Sequence, residues 1–422
     1  MDVAAGPWMA VAVSGYSFAC ALDRGGQAFC WGDNYRGQLA TGDTARVHPA
    51  PQPVVGGLTF RSIVAGTRHV CALTADGEAY CWGGDGADQP GLGTAGVLSA
   101  PPVTRPTPVA TTVRFKQLTA AGHTCGVSLD GAAYCWGPGG EGQLGVGPVG
   151  PCGPGDRESY NTRGRTCAAS VPMPVAGGLP FTSVSAGEKH TCGVTTEGMA
   201  YCWGFNHDGV LGTDAVAFDC PSGYSDPDPN AAAAPCRQFT PIPVVSPVRF
   251  RQVVAGGRHS CGVAVDGRAY CWGLATGVLR SVPRLQVSIA PLGVGSASRF
   301  GSVSPVPVIG GLTFRALHLG TDQSCGVTVD DRAHCWGENG WGVLGIGQPP
   351  EAPARPHPVL VPLVADAPVI GGTMGCVLTT TGRIFCWGGL NSFGELGNGT
   401  LPNYSARLEV FRIPTPIVSP TR

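Results

Sequence analysis

Charge is scarce in this chain. Charged side chains make up 13% of its 422 residues and almost cancel, 27 Lys and Arg against 28 Asp and Glu. A dedicated nucleic-acid binder carries a strong basic excess, so no nucleic-acid partner is expected. Long apolar runs are missing too. None reaches the roughly 18 residues of a membrane-spanning helix, and no membrane span is expected. No two cysteines stand with two to four residues between them, the spacing of zinc ligands, so no metal set is assigned. There is no Ser/His/Asp order, no paired-carboxylate signature and no helix-borne motif from which to name a reaction. Met1-Asp2-Val3 lacks a basic n-region, and the chain reads as a mature form.

What abounds is Gly (66), Pro (38) and Cys (18), beside a hydrophobic fraction of 43%. That fraction is too high for a disordered or collagen-like chain, so Gly and Pro must punctuate many short strands. The stretch from Ala65 to Gly83, AGTRHVCALTADGEAYCWG, shows how. Cys71 and Cys81 bound two short apolar runs that flank Ala75-Asp76-Gly77, a three-residue hairpin loop with Gly where a left-handed backbone is needed. This register sets the two cysteines directly across from each other, within disulfide reach. On the other face Tyr80 opposes Ala72, and the same small-against-aromatic pairing recurs as Ala21 with Phe29, Gly126 with Tyr134, Gly193 with Tyr201 and Gly262 with Tyr270.

The hairpin occurs seven times. Its cysteines are Cys20 with Cys30, Cys71 with Cys81, Cys125 with Cys135, Cys192 with Cys202, Cys261 with Cys271, Cys325 with Cys335 and Cys376 with Cys386, and each second Cys is followed by Trp-Gly. A repeat of this period points to a propeller or solenoid. The other four cysteines pair two by two in long insertions, Cys152 with Cys167 and Cys220 with Cys236. Nine disulfides imply an oxidising compartment: secreted, periplasmic or cell-surface. Trp8 to Val13 stands before the first hairpin without the usual preceding half, and the recurrent Pro-x-Pro element ends the chain at Pro414-Thr415-Pro416-Ile417. The seventh unit therefore reads as split between the termini, and pairing of the C- and N-terminal strands would close a ring with no free sheet edge.

Ala-Gly-x-x-His, the Cys-bounded hairpin with Asp-Gly at its turn, Trp-Gly-x-Asn and then Gly-x-Leu-Gly, as at Gly142-Gln143-Leu144-Gly145, together resemble the repeat of the regulator of chromosome condensation family. The resemblance runs from about Trp8 to Ile417 and implies an all-β, seven-bladed propeller of four-stranded antiparallel blades, one domain over residues 1–422. The third copy is shorter, at Ala120-Ala121-Gly122-His123, and the fifth lacks the Asn and ends Gly277-Val278-Leu279-Arg280. The cysteine pairs depart from the eukaryotic namesake and look like a secreted bacterial offshoot.

His69, His190 and His259 share a repeat position that Phe18, Gln323 and Met374 fill elsewhere, which marks it as a bracing position rather than a catalytic one. The repeat Trp residues read as core, with Trp341 the candidate for exposure. Asp226 and Asp228 could ligate calcium but read first as a solvated loop, and no cofactor is assigned. First cysteines are spaced 51, 54, 67, 69, 64 and 51 residues apart, so insertions fall near 146–171, 213–240 and 280–303. Consecutive insertions emerge on one face as a raised lip. Arg157, Glu158, Tyr160, Arg163, Arg165, Phe218 and Tyr224 on the first two are candidate interface anchors. The expected function is a monomeric, secreted, non-enzymatic propeller that engages a protein through these loops. The resemblance includes a bacterial inhibitor of β-lactamase that works by obstruction. The alternatives are a lyase or hydrolase, or a carbohydrate binder, using the central cavity.

Overall fold

The computed structural model describes residues 7–14, 17–43, 45–84, 102–147, 168–213, 236–274, 276–278, 286–288, 291–295, 301–348, 354–365, 368–370, 374–389, 391–401 and 414–418. Seven four-stranded antiparallel sheets form a propeller. Blade 1 is Trp8–Val13, Phe18–Asp23, Ala28–Asp33 and Val47–Pro53; blade 4 is Phe181–Ala186, His190–Thr195, Ala200–Phe205 and Arg237–Pro243; blade 7 is Pro368–Ile370, Met374–Leu378, Ile384–Gly388 and Thr415–Pro416. The inner strands of blades 2, 3, 5 and 6 are Ser62–Ala65, Phe115–Ala120, Phe250–Ala255 and Phe314–Leu319. Each inner strand packs on the next around the ring, and that of blade 7 packs on that of blade 1. Among the described residues there is no α-helix, only single 3-10 turns such as His207–Gly209.

The hairpin register is the expected one, with Cys71 opposite Cys81 and Ala72 opposite Tyr80. All seven repeat disulfides form: Cys20 with Cys30, Cys71 with Cys81, Cys125 with Cys135, Cys192 with Cys202, Cys261 with Cys271, Cys325 with Cys335 and Cys376 with Cys386. Their Cα atoms lie 4.0–4.1 Å apart, the distance of directly opposed strand residues. Gly77 takes φ +87° in the loop. The space over the small residues is filled by a group the pairing alone does not reveal, the Phe that opens the inner strand. A Cβ on Gly193 would lie 2.7 Å from the Phe181 ring, and one on Gly262 would lie 2.6 Å from Phe250. Phe115 meets Tyr134 edge-on at 6.0 Å and leans on Trp136 at 5.8 Å. The seven repeat Trp residues are wholly buried.

The ring does not close by pairing of the terminal strands. Among the described residues Trp8–Val13 pairs with Phe18–Asp23, and Thr415–Pro416 pairs with Ile384–Gly388. The Pro-x-Pro element is the outer strand of the hairpin that precedes it, in every blade. The structural unit is therefore in phase with the chain, and no blade is shared. Blades 7 and 1 meet face to face, held by Trp8 N–H to the Gly382 carbonyl (3.1 Å), the Trp31 indole to the Glu395 carbonyl (2.9 Å) and Gly399 N–H to the Pro49 carbonyl (2.9 Å).

The same indole latch joins other neighbours. Trp82, Trp203, Trp272, Trp336 and Trp387 donate to the carbonyls of Gln38, Gln143, Val210, Pro291 and Val343 in the preceding blade, at 2.7–3.0 Å. The Leu of Gly-x-Leu-Gly is the buried plug between blades, as at Leu144 and Leu211. Its backbone N–H is held by the Asn of Trp-Gly-x-Asn, for example Leu211 by Asn206 at 3.0 Å. Blade 5 corrects the reading of its repeat: the plug is Pro291-Leu292-Gly293, not Gly277-Val278-Leu279-Arg280. Trp336 bonds to Pro291, Leu292 is fully buried, and Thr276–Val278 instead forms a small ribbon with Gln286–Ser288. The extra chain of this blade precedes its plug, which spacing between cysteines cannot distinguish.

Candidate binding face and channel mouth

The histidines brace the blades. His69 meets Thr124 at 2.7 Å, His123 meets Thr191 at 2.6 Å, His190 meets Ser260 at 2.9 Å and His259 meets Ser324 at 2.8 Å, each hydroxyl belonging to the next blade. The hydroxyl protons of Thr191, Ser260 and Ser324 go to the carbonyls that the Trp indoles also reach, those of Gln143, Val210 and Pro291. The hydroxyls must therefore accept, and His123, His190 and His259 must donate from Nε2–H. Burial pulls these three imidazoles down to a pKa of about 3, so they are neutral at physiological pH. His123 belongs to the set despite the shorter third copy.

The inner strands enclose a channel of about 770 Å³. Its mouth is a rim of turns between first and second strands, linked blade to blade by main-chain hydrogen bonds: Thr67 to Ala121, Gly122 to Gly187, Glu188 to Gly256 and Gly257 to Gly320. This linkage explains the repeating Gly of Ala-Gly-x-x-His. A Cβ on Gly187 would stand 2.5 Å from the Gly256 carbonyl oxygen, and one on Gly256 would stand 2.7 Å from that of Gly320. The two residues that follow that Gly vary and give the rim its chemistry.

The ionisable groups among the described lining are Glu188, His318, Asp322 and Glu338, all on or beside blades 4 to 6. Glu188 accepts from Thr321 at 2.7 Å, and Glu338 accepts from Gly340 N–H at 2.7 Å. Asp322 Oδ1 is buried with no hydrogen-bond partner among the described residues. Burial raises the Asp322 carboxyl to a pKa of about 6; Arg258 opposes the shift, and Glu338 and Glu188 add to it. Burial also raises Glu338 and lowers His318, the latter to about 4. Sequence reasoning missed all four. For Glu188 and Asp322 the signal was the variable pair inside the repeated motif, Glu188-Lys189, Gly257-Arg258 and Thr321-Asp322.

The third strands end at this same rim, so the third-to-fourth-strand connections start on the face of the channel mouth. In blades 3, 4 and 5 they span 139–167, 206–236 and 274–301, and in blade 7 a further long one spans 389–414. Arg157, Glu158, Tyr160, Arg163, Arg165, Phe218, Tyr224, Asp226 and Asp228 lie outside the described residues, as does the side chain of Trp341. Cys236 is disulfide-bonded, while Cys152, Cys167 and Cys220 lie outside the description. At the seam of blades 7 and 1, Tyr35 is 61% exposed. The Arg36 and Arg46 guanidinium groups lie 5.0 and 5.2 Å from its ring centroid, and Arg46 also covers Phe393 at 5.9 Å.

Models of the regulator of chromosome condensation (RCC1) repeat match residues 10–38, 60–89, 181–210 and 250–276, and residues 25–73 and 130–194. RCC1 repeats thus occur in blades 1 to 5. It is 25% identical over 409 residues to the ultraviolet-B receptor UVR8 of Arabidopsis thaliana, covering 94% of this chain and 81% of that protein. It is 28% identical over 261 residues to the mitochondrial RCC1 domain-containing protein RUG3 of the same plant, covering 61% and 52%. Against the human E3 ubiquitin-protein ligase HERC2 it is 25% identical over 386 residues, 89% of this chain but 7% of that protein. Yeast RCC1 (Prp20), solved bound to Kap60, superposes with a TM-score of 0.69 at 17% identity, covering 92% of this chain and 83% of that one. Human WBSCR16 superposes with a TM-score of 0.69 at 19% identity, covering 93% and 95%. These structures share the RCC1 propeller fold.

Proposed function

We propose that this RCC1-repeat propeller is a secreted binding module that engages one protein partner across the face of the channel mouth and acts by obstruction. The observation that carries the reading is the placement of variation. The blades repeat closely, whereas the long connections of blades 3, 4, 5 and 7 all begin on that face. Surface loops on a rigid scaffold are where binding residues concentrate. Seven buried disulfides fit an oxidising compartment. Yeast RCC1 in complex with Kap60 is a precedent for a protein partner on this fold. The anchors are Arg157, Tyr160, Arg163, Arg165, Phe218, Tyr224 and Trp341, together with Tyr35 and its two arginines. A carbohydrate platform built from the repeat Trp residues is disfavoured, since all seven are buried.

The test is affinity capture from the native secretome with the parent and with a Tyr160→Ala, Arg163→Ala, Tyr224→Ala triple variant. The reading expects one stoichiometric protein with the parent and at least tenfold weaker capture by the variant, at unchanged melting temperature. Turnover of a small substrate without any captured protein would overturn it.

A further inference from the structure

The channel has opposite ends chemically, and that asymmetry is fixed by the inner strand of blade 6. Phe314–Leu319 runs toward the mouth, places His318 in the wall, and continues through Thr321 and Asp322 in the rim. His318 pairs in register with Cys325, and the residues at the same level on other blades are Ala12, Val64, Thr119, Ser185 and Val254. An imidazole thus stands alone among small, neutral neighbours at that level of the described wall. Its side chain is half-buried and lines the channel, and neither ring nitrogen meets a hydrogen-bond partner among the described residues. A neutral imidazole offers one N–H donor and one lone pair. Both are left to solvent or to a ligand within the channel.

Above it stand Glu188, Asp322 and Glu338, with Arg258 beside Asp322. Lys189, on the blade 4 turn beside Glu188, is turned away to Glu141 at 3.5 Å and to the Phe205 ring at 5.7 Å. The rim is built to hold these carboxylates still. Gly257 has no side chain where a Cβ would come within 2.8 Å of Thr321 Cα and 3.0 Å of the Glu188 carboxyl carbon, and Thr321 in turn fixes Glu188. The buried Asp322 oxygen is a second unmatched group, at the opposite end of the same strand-to-turn segment from His318. His318 lies two residues below Gly320, about 7 Å down the channel at a strand's rise.

We propose that the channel mouth is a site for a small aliphatic amine carrying a neutral hydrogen-bonding group, with its ammonium among Glu188, Asp322 and Glu338 and its far end on His318. The order of the groups selects a free small molecule over a lysine of a protein partner. A lysine entering from the face would meet the carboxylates with its ammonium and bring no group down to His318, whereas a free amine entering tail first meets both. The site needs no protein partner, so its test is independent of the function proposed above.

Calorimetric titration of the full chain with α,ω-aminopentanol should give binding at least tenfold tighter than with pentanol, pentanoate or a lysine blocked at both backbone ends. An Asp322→Asn, Glu338→Gln double variant, which keeps the acceptor for Gly340, should lose that advantage at unchanged melting temperature. In the parent, the His318 ring resonances should shift with aminopentanol and not with methylammonium. Equal binding of aminopentanol and pentanol, parental affinity in the double variant, or a blocked lysine that binds as well as the free amine would each overturn the proposal.

Discussion

At the residue scale, the His-hydroxyl-carbonyl-indole relay is where a single atom matters most. Replacing Ser260 with Ala leaves the buried His190 Nε2–H without an acceptor and removes one donor from the Val210 carbonyl. The expected cost is about 1–3 kcal/mol in chemical denaturation, as for any buried group left unsatisfied. The relay also sets a pH dependence. The folded pKa of His123, His190 and His259, about 3, lies below the unfolded value near 6.5. Their contribution is full above about pH 6.5 and is lost as pH falls toward 3, because only the unfolded chain takes up the protons. Asp322, raised to about 6, has the opposite sign and offsets part of this loss. Blade 6 supplies the control, since Gln323 stands where blades 2 to 5 have His. His190→Gln should stay within about 1 kcal/mol of the parent at pH 7 and show a shallower decline between pH 6.5 and 4. An unchanged slope would mean that His190 is not buried neutral. The bracing role of this position was legible because Phe, Gln and Met also occupy it. Its hydrogen-bond partner was not, since it lies on the next blade and no local spacing encodes it.

At the element scale, the plug loop is the least tolerant segment. Gly145 has φ +68°, and a Cβ there would fall 2.6 Å from the Trp203 indole nitrogen. Gly145→Ala therefore combines a left-handed backbone with a clash on the latch, and should cost several kcal/mol, above the ~1 kcal/mol of an ordinary Gly substitution, as read by denaturant midpoint. The hairpin bridge is a milder element. Converting Cys192 and Cys202 together to Ala should cost about 2.5 kcal/mol on the chain-entropy account and leave the blade folded. The hairpins were readable from sequence down to the register because turn chemistry and the opposed cysteines agree. The blade 5 plug was not, because Gly277-Val278-Leu279 imitates the motif, and only the buried Leu292 and the Trp336 bond show which stretch fills the groove. The Phe of the inner strand was missed for a related reason: pairing across two strands says nothing of the third.

At the scale of the whole molecule, the frame of the repeat decides how the ring fails. The sequence shows the same seven units whether the Pro-x-Pro strand is counted before its hairpin or after it, and only the sheet pairing chooses. Deleting residues 408–422 removes the outer strand of blade 7 and leaves the packed inner strands and the Trp31 latch to Glu395 in place. The expected result is a local loss confined to blade 7, seen as hydrogen exchange rising in Ile384–Gly388 while the hairpins of blades 2 to 5 stay protected. Trp8→Ala should do more global harm, because Trp8 is 4% exposed and packs on Phe29 at 5.4 Å and Trp31 at 6.4 Å within the seam cluster. If the truncation instead lowers protection in every blade, closure depends on the C-terminal strand after all.

That no blade borrows a strand from the far end of the chain bears on how such a molecule can change over generations. One uninterrupted length of coding sequence, from the Phe of one inner strand to the Phe of the next, specifies a finished wedge with its own disulfide, its own plug and its own indole. A duplication or deletion of that length delivers or removes a whole wedge, and the two new neighbours already carry matching groove and latch. Where closure is shared between the termini, the same event must leave the first and last segments in step. Here the junction where the chain happens to be cut carries the same indole latch as five of the others.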